Sequence, residues 1–398
     1  MQIYILDNKY EFLGVIDEQE DIVFNKRFND VGYAALKVAC DDEMLALLRR
    51  GYYIYRYDDD MFCKIETVTI DTDVEQGDYL TVDAVDMNGI LAGRIVRWEV
   101  VYSGTVLGFI EKLITDNVIN PAQPQRKIAN FELYKMTDEE RAEFTETINV
   151  AKDTATQDLL QLIITTCKTY NYGFRVSYNI ETQKLVFRLI KGKNKATTES
   201  DEYVEFSPNY ANILSSQYKE DESNYKNLVY VEYKNANDET ALLSMHNEAT
   251  EPKGEDRREV YIDATNTSRD VTVADLEAVF GTGNITRNGN SYYAGAIEVA
   301  TVSVSGEEEK LTATDYTYFR LIRIIGLNAL AERVKTQEFS GAVDTIDTYK
   351  YKTDYDLGDI VKVENEYGIS APAQITEITE SESADSPYSI EPKFEYIY

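Results

Sequence analysis

Gly358-Asp359-Ile360-Val361-Lys362-Val363, followed by Ile375-Thr376-Glu377-Ile378 and then by Tyr388 and Ile390, repeats an order already present near the start of the chain. There the series is Gly51, Ile54, Ile65-Glu66-Thr67-Val68, then Leu80 and Val82. In both places a glycine opens a short apolar strand, and two longer alternating strands follow across a polar turn. The matching order predicts two small antiparallel β-barrel domains of similar topology within one chain. Convergence is the alternative reading, because short strand-turn patterns recur easily.

Working outward from the first copy, residues 1–100 read as β-structure. Ile3 and Ile5, then Phe12 and Val15, mark two strands around Asp7-Asn8-Lys9, and Val23 to Leu36 alternates. Asp41-Asp42-Glu43 before Met44, Leu45, Leu47 and Leu48, with Arg49-Arg50-Gly51 after them, is a short helix with acids at its amino end and a glycine stop. Tyr53, Tyr55 and Tyr57 fall on one face of the next strand.

Residues 101–200 change to α+β. Val106 to Ile119 has helical spacing, ended by Pro121 and Pro124. A second helix carries Leu159, Leu162, Ile163, Cys167 and Tyr170, with Asp153 or Thr154 as its expected cap. Phe174, Val176, Tyr178 and Leu185, Phe187, Leu189 flank the hairpin turn 179–184.

The second barrel domain is expected over 201–263 and 338–398, with Leu228-Val229-Tyr230-Val231 as a buried strand. An α/β insertion occupies 264–337. Thr272-Val273-Ala274-Asp275 predicts a capping box for a helix ended by Gly281, 281–295 reads as turns, and a longer helix is expected from about Tyr318 to Gln337. The fold class is thus mainly β with α+β insertions: two antiparallel barrels plus α/β domains.

Composition narrows the function. The 398 residues carry 71 Asp and Glu against 40 Lys and Arg, a net charge of −31, which leaves no basic footprint for reading nucleic acid. A hydrophobic fraction of 43%, with 31 Tyr and 14 Phe, is too apolar for disorder. Cys40, Cys63 and Cys167 are odd in number and widely spaced, so neither a disulfide framework nor a CxxC metal site is expected. His246 is the only histidine, and its polar loop-like surroundings mark it as a surface bystander, which removes histidine-based catalysis. Leu159 to Cys167, the longest uncharged apolar run, is about half of the ~20 residues a spanning helix needs. The amino terminus lacks a basic start and alternates like a strand, unlike a secretory signal.

Other motifs carry little chemistry. The acidic stretch 71–78 places Gln76 and Val82 where a calcium loop needs Gly and Glu, so a solvated hairpin turn is expected. Asp58-Asp59-Asp60 and Glu307-Glu308-Glu309 read as loop tips. Among 71 acids no pair singles itself out for glycoside hydrolysis. Gly281-Thr282-Gly283-Asn284 lacks the Gly-Lys-Ser or Gly-Lys-Thr of a phosphate loop. Trp98 and the tyrosine-rich strands could stack on sugars, but packing across strands is the commoner use.

Four segments together resemble one family, the tail-hub or tail-tip proteins of long-tailed bacteriophages and prophages, the structural part of tail-associated lysins and baseplate hubs. They are Ile5-Leu6-Asp7 through Gly14-Val15-Ile16-Asp17 with Lys26-Arg27-Phe28 and Gly32-Tyr33-Ala34-Ala35-Leu36; Asn224 to Val231; Glu255-Asp256-Arg257-Arg258-Glu259-Val260-Tyr261-Ile262-Asp263; and Tyr355-Asp356-Leu357-Gly358-Asp359 through Val363. The chain departs from the family at Gln374-Ile375-Thr376-Glu377, where an Arg commonly precedes the Ile, and 265–317 looks expanded.

The resemblance implies a non-enzymatic, phage baseplate-hub-like virion component with no cofactor or metal. It implies a homotrimer forming a quasi-sixfold ring that closes the tail tube. Expected partners are the distal tail protein ring, the tape-measure protein, and tail fibres or receptor-binding proteins. Arg257, Arg258, Glu259 and Asp263 are expected to fix a strand end or subunit contact, and Leu357, Gly358 and Asp359 to form a barrel-rim turn. Because the sequence stops at Tyr398, a hub without an attached hydrolase is expected. A cell-wall polysaccharide binder or carboxylate-based glycosidase on a β-rich scaffold is the alternative.

Overall fold

The computed structural model describes residues 1–59, 61–73, 77–96, 102–150, 157–197, 202–215, 217–281, 283–304, 310–340, 343, 348–384 and 386–396. The chain opens with four strands, β1 (Ile3–Leu6), β2 (Phe12–Ile16), β3 (Asp21–Arg27) and β4 (Tyr33–Ala39). Helix α1 (Asp42–Leu47) is capped by the Asp41 carboxylate, as its acidic start predicts. Next come β5 (Tyr53–Arg56), β6 (Met61–Asp73) and β7 (Gly77–Asp86). The middle of the chain holds β8 (Tyr102–Thr105), α2 (Val106–Ile114), β9 (Phe131–Leu133), α3 (Asp138–Ala142), β10 (Thr147–Val150), α4 (Leu159–Tyr170), and the hairpin β11 (Gly173–Asn179) and β12 (Lys184–Ile190).

Strands β13 (Glu205–Phe206) and β14 (Gln217–Asp221) lead to a three-stranded sheet of β15 (Leu228–Lys234), β16 (Thr240–His246) and β17 (Glu259–Asp263). After it come β18 (Asp270–Val271), α5 (Val273–Phe280), β19 (Ile285–Asn288), β20 (Ser291–Ala294), β21 (Ile297–Val304), β22 (Lys310–Ala313) and α6 (Asp315–Ala331). The chain finishes with β23 (Thr336–Ser340), β24 (Ile360–Glu364), β25 (Ser370–Ser383) and β26 (Ser386–Tyr396).

The repeat seen in the sequence is a repeat in hydrogen bonding. Gly51 N–H donates to the Ile65 carbonyl and Gly358 N–H to the Ile375 carbonyl, both at 2.8 Å. Ile65 N–H returns a bond to Tyr52, and Ile375 N–H returns one to Asp359. Both glycines have positive φ, +88° and +96°. The β6–β7 register slips between Ile65 and Thr67, and the β25–β26 register slips between Ile375 and Glu377, so each long strand carries a bulge at the same place. One detail is corrected: Ile70 faces Leu80 and Glu380 faces Ile390, so Ile390 matches Leu80 rather than Val82.

Two closed barrels do not form. The strands join one sheet, β14-β23-β26-β25-β3-β4-β7-β6-β5-β1-β2, with β24 beside β25 and β13 beside β24. The cause lies in the bulge. One edge of β25 pairs with β24 over Ser370–Gln374, and beyond the bulge the same edge is free to take β3 over Glu377–Ser383. Phe28 N–H bonds the Thr376 carbonyl at that changeover.

Several other expectations shift. Strands β15–β17, assigned by sequence to the second barrel, form their own sheet, and α6 packs on it around Val229, Val231, Tyr318 and Ile322. Helix α4 is capped by Asp158, while Asp153 and Thr154 lie outside the described residues. Helix α6 ends at Ala331, because the following residues are drawn into β23 between β14 and β26. The expected turn region 281–295 contains the β19–β20 hairpin, and the Thr272–Asp275 capping box forms as predicted. Tyr53 and Tyr55 lie on the expected strand and are buried, whereas Tyr57, expected on the same strand face, falls in the following turn and is exposed. His246 ends a strand rather than lying in a loop, and it is exposed. Trp98 and Glu307-Glu308-Glu309 lie outside the described residues, as does the tip of the 71–78 hairpin. Among the described residues no helix is long and apolar enough to cross a membrane.

Candidate functional site

The two predicted motifs occupy separate places, and no hydrogen bond or ion pair among the described residues joins them. Leu357, Gly358 and Asp359 form the turn into β24, and all three pack inside rather than at a rim. Leu357 belongs to the core with Phe206, Val361 and Phe394. Gly358 lies so close to Phe28 that an added Cβ would sit 2.1 Å from the ring. Asp359 is buried, and its carboxylate accepts from Lys193 N–H at 2.8 Å and Asp356 N–H at 3.0 Å, with Lys195 Nζ 3.1 Å away. Gln374, which stands where the family commonly has Arg, donates Nε2–H to the Gly358 carbonyl at 2.9 Å. The glutamine therefore braces the turn with a neutral bond.

Arg257, Arg258 and Glu259 lead into β17. The Arg257 guanidinium bridges Glu251 and Glu259 and donates to the Tyr230 hydroxyl at 2.6 Å. Arg258 pairs with Glu222 at 3.1 Å and donates to its carbonyl at 2.7 Å, tying β17 to the segment after β14. Asp263 closes the strand by accepting from Thr265 N–H at 2.9 Å and its hydroxyl at 2.6 Å. These pairs are largely exposed, so each contributes little alone and together they fix a strand end.

A third constellation was missed by sequence reasoning. Where β3, β5 and β25 converge, Lys26, Arg56, Asp59 and Glu380 are all buried. Lys26 Nζ contacts the Asp59 carboxylate and lies 2.6 Å from Glu380. Arg56 reaches Glu380 at 2.9 Å and Asp58 at 2.7 Å. From the segment before β24, Lys352 caps Asp59, and the Tyr351 hydroxyl accepts from Lys26 at 2.9 Å. Burial works to raise the Asp59 carboxyl, but the ammonium groups of Lys26 and Lys352 override it and hold the group below the usual carboxylate range. Burial and a hydrogen bond to Glu380 push the Tyr388 hydroxyl well above its ordinary value.

Asp59 thus corrects the loop-tip reading of Asp58-Asp59-Asp60; Asp60 lies outside the described residues. A signal was present. In the alternation Ile22, Phe24, Lys26, Phe28 the lysine falls on the apolar face, where a charge needs a buried partner.

Solved phage-type tail proteins share this fold along nearly its whole length. Along 99% of this chain and 95% of its own, a tail protein from Neisseria meningitidis MC58 matches with TM-score 0.50 at 12% identity. The 43 kDa tail protein of prophage MuSo2 from Shewanella oneidensis matches with TM-score 0.50 at 9% identity, covering 100% and 98% of the two chains. Prophage tail protein gp18 from Listeria monocytogenes EGD-e gives TM-score 0.47 at 12% identity, with 99% and 94% covered. The fold is therefore that of a tail protein. By sequence, residues 2–394 match the family described as Siphovirus ReqiPepy6 Gp37-like protein, and the chain belongs to that family. A search of curated proteins found no match.

Proposed function

We propose that this chain is a non-enzymatic hub of a phage tail tip, a homotrimer that closes the tail tube within the virion. It would link the distal tail ring and tape-measure protein to the tip or fibres. The observation that carries this reading is an internal joint with an unfilled counterpart. Strands β14-β23-β26-β25 repeat β3-β4-β7-β6 in order, and β3 docks on β25 beyond its bulge. Among the described residues the matching edge of β6 beyond its own bulge pairs with no strand, and β14 pairs with β23 alone.

A second copy completes the pattern when its β14 adds to β6, and repetition of that step closes a ring. Carrying over the β25–β3 register sets Thr69 opposite Lys219 and Ile70 opposite Tyr218 of the next copy. That contact would cover Ile70, which is 53% exposed in the single chain.

Light scattering after size-exclusion chromatography tests the stoichiometry. The expected mass is three times 45.5 kDa. The double variant Thr69→Cys with Lys219→Cys should form intersubunit disulfides on oxidation, whereas each single variant should not. A stable monomer at all concentrations, or no crosslinked ladder from a trimer, would overturn the ring.

A further inference from the structure

The outward face of the β11–β12 hairpin carries a feature that neither the fold nor the proposed ring uses. Its inner face, with Phe174, Val176, Tyr178, Leu185, Phe187 and Leu189, is core. On the outer face Arg175 and Arg188 stand directly opposite each other in the antiparallel register. Like charges at that spacing repel, and the pair is costly unless an anion lies between them.

Among the described residues the guanidinium of half-buried Arg175 forms no ion pair or hydrogen bond, though its charge acts on the buried Asp86 carboxylate. Arg188 is exposed, and its guanidinium carbon lies 5.0 Å from the centre of the Tyr134 ring. Both arginines line a cavity of about 290 Å³ between this hairpin and the segment before β24. Ser177 adds a hydroxyl donor and Ile190 and Leu357 supply apolar wall, while Lys352 at the edge is engaged with Asp59. Two carboxylates also line it: Asp59, already matched by Lys26 and Lys352, and Asp356. In a chain of net charge −31, this cleft places side by side two guanidinium groups that have no carboxylate ion pair among the described residues.

We infer that the Arg175–Arg188 cleft is a docking site for an acidic peptide segment, whose carboxylates bridge the two guanidinium forks while adjoining side chains rest on Ile190 and Leu357. Planar forks suit carboxylates in bidentate contact. The cavity is too small for a nucleic-acid duplex, and the ligand must gain enough from local guanidinium contacts to offset the negative field of the whole chain. The inference does not rest on the ring, because the cleft lies within one chain.

The test is titration of a fluorescent hexaglutamate peptide with the purified full chain at low ionic strength, with inorganic phosphate as a second probe. Saturable hexaglutamate binding is expected, weakened about tenfold or more in Arg175→Gln/Arg188→Gln and unchanged in the control Arg49→Gln/Arg50→Gln. If the double variant misfolds, Arg188→Gln alone, at an exposed position, should still weaken binding severalfold. Absence of binding, or equal loss in the control, would overturn the site. Binding of phosphate without hexaglutamate would overturn the peptide as its ligand.

Discussion

Gly51 and Gly358 hold equivalent positions in the two halves, with φ of +88° and +96° and the same 2.8 Å bond to the following bulge, yet their surroundings differ. A Cβ at Gly51 meets nothing within 4 Å, whereas one at Gly358 would strike Phe28 at 2.1 Å. Gly51→Ala should therefore cost only backbone strain, about 1–2 kcal/mol. Gly358→Ala adds the displacement of a fully buried ring, for a total of about 2–5 kcal/mol. Denaturant midpoints of the two variants check this, and equal losses would show that Phe28 yields freely. The turn itself was legible because a glycine before an alternating strand is a local signal. Its burial was not, because Phe28 and Lys193 come from elsewhere in the sequence.

At the scale of elements, the joint between β3 and β25 is held by backbone pairing and by the buried ions beneath it. Removing one partner leaves an uncompensated buried charge, so Asp59→Asn should destabilise the chain by about 3–5 kcal/mol. The pH dependence follows from the sign of the shift. Asp59 has its folded pKa held below the model-peptide value of 3.8, so the stability from its pairing is fully present above that value. It is lost as pH falls below about 4, where the unfolded chain takes up the proton first. Thermal unfolding from pH 7 to pH 3 should show a steeper acid loss in wild type than in Asp59→Asn; parallel curves would remove Asp59 from the acid response. This joint was hidden from sequence reasoning for a physical reason. A run of three aspartates has the composition of a solvated turn, and only Lys26 and the distant Lys352 make the middle one internal. The Thr272–Asp275 capping box and the β11–β12 hairpin were legible because their partners are a few residues apart. The end of α6 was not, because Val334 continued the helical period until sheet pairing of β23 overrode it.

For the whole molecule, the charge of −31 per chain opposes any assembly of identical copies. The proposed joint between β14 and β6 relies on backbone hydrogen bonds and on burying Ile70, neither of which salt screens strongly, while the net repulsion between subunits is screened. Raising NaCl from about 0.1 M to about 1 M shortens the Debye length from about 10 Å to about 3 Å. Trimer formation should therefore strengthen with salt, by about tenfold or more in the association constant, and the yield of the Thr69–Lys219 cysteine crosslink should rise in parallel. Sedimentation equilibrium across that salt range measures it. An interface held mainly by complementary ion pairs would respond in the opposite direction, so weakening by salt would reject backbone pairing as the principal joint even if the particle proved trimeric.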